Sequence, residues 1–427
     1  MQESLDSDRD GNLCVLDSGL LGQVRTTLTM GVASRNVDAR RAASTLAIVG
    51  DTRHYIDESG RLYTYAALAA QLDLWAARFD RVVFCGVLGE GPPPVSFAPY
   101  VSANIELVPL RPAGGPGWRA KVTVLGALVS WIRVLVPVLR RADAVHLRVP
   151  CNVTLVAIPL VRALTRRRYA IYAGSWDRYP GEPISYRLQR WMLSRMFHGV
   201  VHAYVTTESA SGSIRPAFSP VLTDEGLREV SALRSVPLQD DRPGIDRALR
   251  LVSVGRFSEN KNQIAIIRAI RALVDDGLEI EARFIGEGST RDVVERSSAG
   301  LQSVEFVDVA SRAEVFEAMA WADLNVLASF REGYPKVLLE GMSVGALPVA
   351  ADTPMNRAMT QGRGWVFDPD KADDLAAVIL AAVRSDEADW AARRDSCAAY
   401  SQSKTLDAFG LEVAFIVGEI WGFPSPV

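Results

Sequence analysis

Phe330-Arg331-Glu332-Gly333-Tyr334-Pro335-Lys336-Val337-Leu338-Leu339-Glu340-Gly341-Met342-Ser343-Val344-Gly345 is the stretch from which the architecture of the chain can be worked out. Pro335 stands where a helix tolerates proline in its first turn, and Gly345 where a helix commonly stops. The segment reads as a loop running into a short helix, with Glu332 at the loop mouth and Glu340 inside the helix. Gly333 has no side chain to hold a ligand away from the backbone. Amides at the helix entrance, around Lys336 to Leu338, favour an anion. The apolar runs 324–329 and 347–350 read as flanking strands, which completes a βαβ unit.

Upstream, Leu251-Val252-Ser253-Val254-Gly255-Arg256 reads as a strand with Lys261 shortly after it, ahead of a helix to about residue 273. Glu281 to Gly288 is a strand ending in Gly286 and Gly288, and residues 304–309 form the next strand. Taken with these landmarks, Glu-Gly-Tyr-Pro-Lys-Val-Leu-Leu-Glu-Gly-Met-Ser-Val-Gly, followed by Pro348 and Val349, resembles the paired-glutamate motif of retaining glycosyltransferases of the GT-B fold, specifically glycosyltransferase family 4.

The resemblance implies an α/β fold: two Rossmann-like domains with parallel sheets facing across a cleft, the donor lying mainly on the second. It implies a sugar transferred from a nucleotide diphosphate sugar to a saccharide or lipid-linked acceptor, with retention, in cell-surface polysaccharide or glycoconjugate synthesis. No cofactor beyond the donor substrate is implied, and no metal, since no DxD stands in a suitable loop. By the carry-over, Glu332 touches the donor sugar and Glu340 the ribose hydroxyls. Gly255, Arg256 and Lys261 grip the diphosphate. Gly286, Gly288 and Val309 lie at the neighbouring strand ends, and Gly333, Tyr334, Pro335, Lys336 and Val337 complete the donor loop. The chain departs from the pattern at Asn262 and Asp308, where glycines are usual. It departs again at Arg148, where a histidine is common; a cation there can still face a pyrophosphate. The plainer alternatives are that Arg331 pairs with Glu332 and Arg148 with a structural carboxylate.

A chain of 427 residues, 48% of them apolar, suffices for two domains with separate cores. Residues 101–200 hold fifteen Lys and Arg against four Asp and Glu, whereas the part after residue 246 is acidic. Such a basic half suits an anionic lipid surface or a phosphorylated substrate. No RNA-binding signature or Cys/His finger spacing is present, so nucleic acid is not an expected partner. Cys14, Cys85, Cys151 and Cys397 form no CxxC pair and the first forty residues show no secretory signal, which points to a reduced, cytoplasmic protein. The run 122–139 contains Arg133 and reads as a buried or interfacial helix rather than a span. With Arg162, Arg166, Arg167, Arg168, Arg187, Arg190 and Arg195 it makes the inner face of the membrane a candidate docking site.

Residues 1–42 read as a poorly ordered extension with a short helix near residues 20–29. An acceptor-side Rossmann-like domain is expected over 43–240, a donor domain over 241–405, and a terminal helix over 406–427 crossing back to the first. The proline-bracketed stretch 237–243 is the expected linker. In the first domain the strand 45–50 leads into residues 51–61, a candidate acceptor loop holding Asp51, Arg53 and His54. The loop after the strand 169–174 adds Trp176, Asp177 and Arg178, groups able to stack on or hydrogen-bond a sugar. His198 and His202 are four apart, but residues 200–205 read as a strand, so helical metal-ligand spacing does not apply. Rival readings are a nucleotide-sugar epimerase of the same architecture and a non-catalytic nucleotide-sugar-binding protein.

Overall fold

The computed structural model describes residues 44–94, 96–113, 118–179, 181–206, 210, 212–233, 243–308, 311–371 and 373–423, without the side chains of 118–122 and 125. The expected N-terminal extension and its helix, Val309, and the linker apart from Pro243 lie outside the described residues. The chain forms two compact units. The first holds the described residues up to Asp224, the short segment Glu332–Tyr334, and those from Ser403 onward; the second holds Glu225–Arg331 and Pro335–Gln402.

In the first unit, β1 (Thr45–Ile56), β2 (Leu62–Tyr65), β3 (Arg81–Leu88), β4 (Phe97–Pro99), β5 (Ile105–Pro109), β6 (Ala144–Val149), β7 (Arg167–Ser175), β8 (Val200–Tyr204) and β9 (Ile214–Pro216) share one sheet. Its parallel part runs β5-β3-β1-β6-β7-β8-β9, and β2 and β4 add an antiparallel edge. Side chains on a strand alternate faces, so β1 sends Leu46 and Ile48 to one core and Ala47 and Val49 to the other. The helices Trp118–Arg141, Thr154–Leu164 and Ile184–Arg195 cover the second of these cores.

The helix Ala66–Ala76 covers the first, burying Leu68, Leu72 and Trp75 at helical spacing. Against it lies the helix Leu406–Phe415, which contributes Phe409 and Val413 to the same core. A π-helical turn, Ile416–Ile420, follows and buries Ile416 and Val417. Each large apolar side chain so buried contributes roughly 1.5–3 kcal/mol.

The second unit is a six-stranded parallel sheet of β10 (Leu249–Val254), β11 (Ile280–Ile285), β12 (Val304–Val307), β13 (Leu324–Leu327), β14 (Leu347–Ala351) and β15 (Trp365–Phe367), ordered β12-β11-β10-β13-β14-β15. Chain progress reverses direction between β10 and β13, so loops leaving their carboxyl ends diverge around a crevice, the usual ligand position in such sheets. The parallel part of the first unit has the same reversal between β1 and β6.

Several readings change. β1 does not end at Gly50: its pairing with β3 breaks between Val49 and Arg53 and then resumes to Leu88, so residues 51–56 are strand, and only Asp57 to Gly60 turn. Arg190 is not one of a set of outward arginines. It is buried with Glu182, to which both its terminal nitrogens donate, and it also donates to the Tyr172 hydroxyl at 3.2 Å. Arg167 donates to the Trp421 carbonyl at 2.7 Å, and Arg168 to the carbonyls of Arg162 and Thr165 at 3.0 Å. Those three guanidiniums are spent on internal acceptors.

Candidate active site

The second unit builds its crevice from glycine and asparagine. After β10, Gly255 takes a φ of +149°, and after β11, Gly286 and Gly288 take +138° and +149°, conformations that L side chains rarely adopt. Close approach makes the requirement stricter. A Cβ on Gly286 would stand 2.3 Å from the Gly255 carbonyl oxygen, and one on Gly288 2.1 Å from that of Phe257. Hydrogen bonds from Gly255 N to Ile285 O (2.9 Å) and from Phe257 N to Glu287 O (2.7 Å) hold the two strand ends together.

Lys261 closes a short 3₁₀ turn, Glu259–Lys261, and Asn262 follows at φ 51°, ψ 36° before the helix Gln263–Asp275. That left-handed position explains the glycine usual here, and why asparagine, which tolerates it, can replace it. The turn brings Lys261 back over the strand end: its Nζ lies 3.9 Å from where a Cβ on Gly255 would be. Gln263 anchors the connection by donating from Nε2 to the Arg256 carbonyl at 2.9 Å.

The loop after β13 is tied to this turn. Phe330 N donates to Asn260 O at 2.9 Å, Asn260 Nδ2 to Arg331 O at 3.0 Å, and Arg331 Nε to Asn260 Oδ1 at 3.3 Å. Loops from the two strands flanking the reversal are thereby joined at Asn260, Phe330 and Arg331, all in the second unit. Glu332 is partly exposed and Glu340 is buried.

The helix Lys336–Ser343 starts after Pro335 with no side-chain cap. Leu338 N is taken by the Pro335 carbonyl at 3.0 Å, which removes it from the amides expected to meet an anion. Gly341 lets this helix lie on β13, since a Cβ there would be 2.4 Å from Asn325 Nδ2. Asn325, buried in the strand, donates to the Val337 carbonyl at 2.7 Å and so fixes the helix start. Sequence reasoning passed over Asn325, although an asparagine inside the apolar run Leu324 to Leu327 signals a buried amide that needs a partner. Arg291 was also missed. It bonds to the Gly286 carbonyl at 2.9 Å and to Asp308 at 2.7 Å, which gives the unusual Asp308 a structural role. Nothing in the sequence around Arg291 marks it.

Gly333 has an additional reason to be glycine: a Cβ there would be 3.0 Å from the Ala173 carbonyl oxygen, both residues belonging to the first unit.

In the first unit, Arg148 stands near the end of β6, at the strand reversal, and Gly50 clears its path, since a Cβ on Gly50 would be 3.2 Å from Arg148 Cβ. Among the described residues its guanidinium pairs with no carboxylate; Tyr100, Tyr169 and Tyr204 surround it, and burial lowers its pKa from the usual arginine value. Asp51 follows Gly50 on β1 and is exposed, as is Arg53.

His54 is a correction. The continued strand turns it into the core, where it is fully buried, stacked on Tyr100 and 4.3 Å from Phe84. Its Nδ1 donates to the Thr52 carbonyl at 3.1 Å, and Nε2 accepts from the Tyr100 hydroxyl at 2.9 Å. Burial pushes it down to about 4, so it is a neutral core histidine and not an acceptor contact. Trp176 packs edge-on to Tyr172 at 5.1 Å, half-buried against the core, while Arg178 is exposed and Asp177 partly so. Among the described residues no three His, Cys, Asp or Glu side chains converge as metal ligands; His202 instead faces Tyr169 and Glu412.

Residues 248–385 match the family model of group 1 glycosyl transferases. No curated protein matches the chain in sequence. Among solved structures, the sucrose-phosphate synthase of Thermosynechococcus elongatus is similar at a TM-score of 0.61 and 13% identity, over 88% of this chain and 99% of that one. Anabaena HepE, crystallised with UDP and glucose, is similar at 0.59 and 16%, over 88% and 100%. The lipopolysaccharide outer core galactosyltransferase WaaB is similar at 0.61 and 14%, over 88% and 99%. Residues 248–385 thus match the group 1 glycosyl transferase model, and the chain, with two parallel-sheet units of reversed strand order, has the GT-B fold of these solved structures.

Proposed function

We propose that the chain is a retaining glycosyltransferase of family 4 type that moves a sugar from a nucleotide diphosphate sugar to a saccharide or lipid-linked acceptor, without a metal or cofactor. The observation that carries this is the joined pair of loops after β10 and β13, which sets Gly255, Arg256 and Lys261 beside the segment leading to Glu332 and Glu340. HepE, a relative in fold, is described with UDP and glucose. In the reaction the bond from the anomeric carbon to the diphosphate oxygen breaks. The acceptor hydroxyl oxygen forms the new bond on the same face, and its proton passes to the departing diphosphate. Arg256 and Lys261 stabilise the charge on that leaving group, Arg148 supplies a cation for a substrate phosphate, and Glu332 orients the sugar ring. Asp51, Arg53, Asp177 and Arg178 remain the acceptor-side candidates.

Thermal-shift titration against UDP-, GDP- and ADP-sugars identifies the donor, because a ligand of the native state raises stability by mass action. Glu332→Gln should then keep nucleotide binding and lose most of the transfer rate. Equal turnover by both proteins removes Glu332 from the mechanism, and sugar isomerised without any acceptor points to an epimerase instead.

A further inference from the structure

The charges of the first unit segregate by layer. On one side of its sheet, the helices Ala66–Ala76 and Leu406–Phe415 hold Asp73, Asp407 and Glu412 and no Lys or Arg. On the other, the three successive helices Trp118–Arg141, Thr154–Leu164 and Ile184–Arg195 contain no Asp or Glu at all. Lys121 and the arginines are the only formal charges in these helices, and Arg190 is neutralised by Glu182.

The helix Ile184–Arg195 turns Gln189, Arg190, Met192 and Leu193 inward. Its outward face is Ile184, Arg187, Leu188, Trp191, Ser194 and Arg195, at intervals of three and four residues. Ile184 is 80% exposed, Leu188 45% and Trp191 54%. Three large apolar side chains in line along one exposed face, the last a tryptophan, are a poor match for water. Among the described residues the guanidiniums of Arg187 and Arg195 make no hydrogen bond or ion pair. The next helix but one in the same layer repeats the pattern, exposing Val129 and Ile132 beside Arg133. No described helix is long and apolar enough to cross a membrane.

We propose that this acid-free helical layer, chiefly through the helix Ile184–Arg195, docks the chain on an anionic lipid bilayer. Ile184, Leu188 and Trp191 enter the boundary between headgroups and acyl chains, while Arg187 and Arg195 engage lipid phosphates. Tryptophan favours that depth because its ring is apolar and its N–H is polar. Docking here serves the proposed transfer by holding the enzyme at a surface where a lipid-linked acceptor resides. The docking itself requires neither donor nor turnover.

The test is co-sedimentation of the full chain with vesicles of phosphatidylcholine, with and without phosphatidylglycerol, across a salt series. Wild type should bind the phosphatidylglycerol vesicles at low salt and lose them as salt rises. Each arginine at such a surface is worth roughly a fivefold factor, so Arg187→Ser with Arg195→Ser should weaken partition by about twenty-five-fold. Ile184→Ser with Trp191→Ser should weaken it as well. Leu411→Ser, at a position 74% exposed in the opposite layer, should change nothing. All variants alter exposed positions, and unchanged melting temperatures confirm their folding. Binding by the variants equal to wild type overturns the proposal, as does sedimentation with neither vesicle. A wild-type dimer that Ile184→Ser dissolves, without lipid binding, assigns the face to a second copy and overturns it too. Failure of donor binding in the thermal-shift experiment would leave the vesicle result standing, and the reverse also holds.

Discussion

Breaking the Arg190–Glu182 pair from one side should cost more than removing it altogether. The side chains are 8% and 2% exposed, both guanidinium nitrogens donate to the two carboxylate oxygens, and Arg190 further reaches the Tyr172 hydroxyl and the Ser175 carbonyl. Glu182→Leu leaves a buried cation with only neutral acceptors, and Arg190→Met leaves a buried carboxylate with none of these donors. Each should destabilise the first unit by about 3–5 kcal/mol. The double variant replaces both charges with apolar groups and should recover most of that loss, so the two single losses together should exceed the loss in the double by about 4 kcal/mol or more. For a unit of this size a loss of about 3–5 kcal/mol lowers the melting temperature by roughly 6–20 °C. Urea denaturation of the wild type, two singles and the double closes the cycle. Additive losses would refute the reasoning, because they would mean that each group is solvated independently and the pair does not anchor residues 175–182.

Burial depresses His54 and His202 to about 4 and His146 further, so the unfolded chain takes up protons that the folded chain refuses. Their contribution is fully present above pH 6.5 and is lost as pH falls from 6.5 to 4, by up to about 3 kcal/mol each. Burial raises Glu412 to about 7 and acts oppositely, its effect being a loss of stability as pH rises from 4.5 to 7, so urea midpoints are best read in Glu412→Gln; a flat profile there contradicts the buried histidines. Gly288→Ala should cost at least about 2 kcal/mol and weaken donor binding together, from the 2.1 Å approach to Phe257; a wild-type melting temperature would show that the strand end yields. Arg256→Ala should weaken the donor by about ten- to a hundredfold in calorimetry, since a charge-assisted hydrogen bond is worth roughly 1.5–3 kcal/mol; an unchanged constant removes Arg256 from the diphosphate site.

The second unit was legible because its determinants are local. Gly255, Gly286, Gly288, Pro335 and Gly341 each mark a backbone approach or a helix start that no other residue type serves, and they fall at strand and helix ends where a reader expects them. The first unit was legible in its apolar runs and much less so in its polar residues. Whether a polar side chain faces a ligand or a core partner depends on groups far along the chain: His54 meets Tyr100, 46 residues away, and Arg167 meets Trp421, 254 away. The continuation of β1 past Gly50 was hidden for the same reason. Its hydrogen-bond partners on β3 compensate for a polar sequence, Asp-Thr-Arg-His, that reads locally as a loop.

The helix Leu406–Phe415 completes the core that holds Trp75, Phe84 and Tyr169, yet it is made long after them. At about 5–20 residues per second, a ribosome needs roughly 10–40 s to pass from Pro216 to Leu406. Throughout that interval the nascent first unit lacks the helix that covers this face, whereas the second unit gains its last strand, β15, before Leu406 is made and draws its whole sheet from its own residues. Folding order therefore inverts gene order: the unit translated first can complete its core only after the unit translated second has been made.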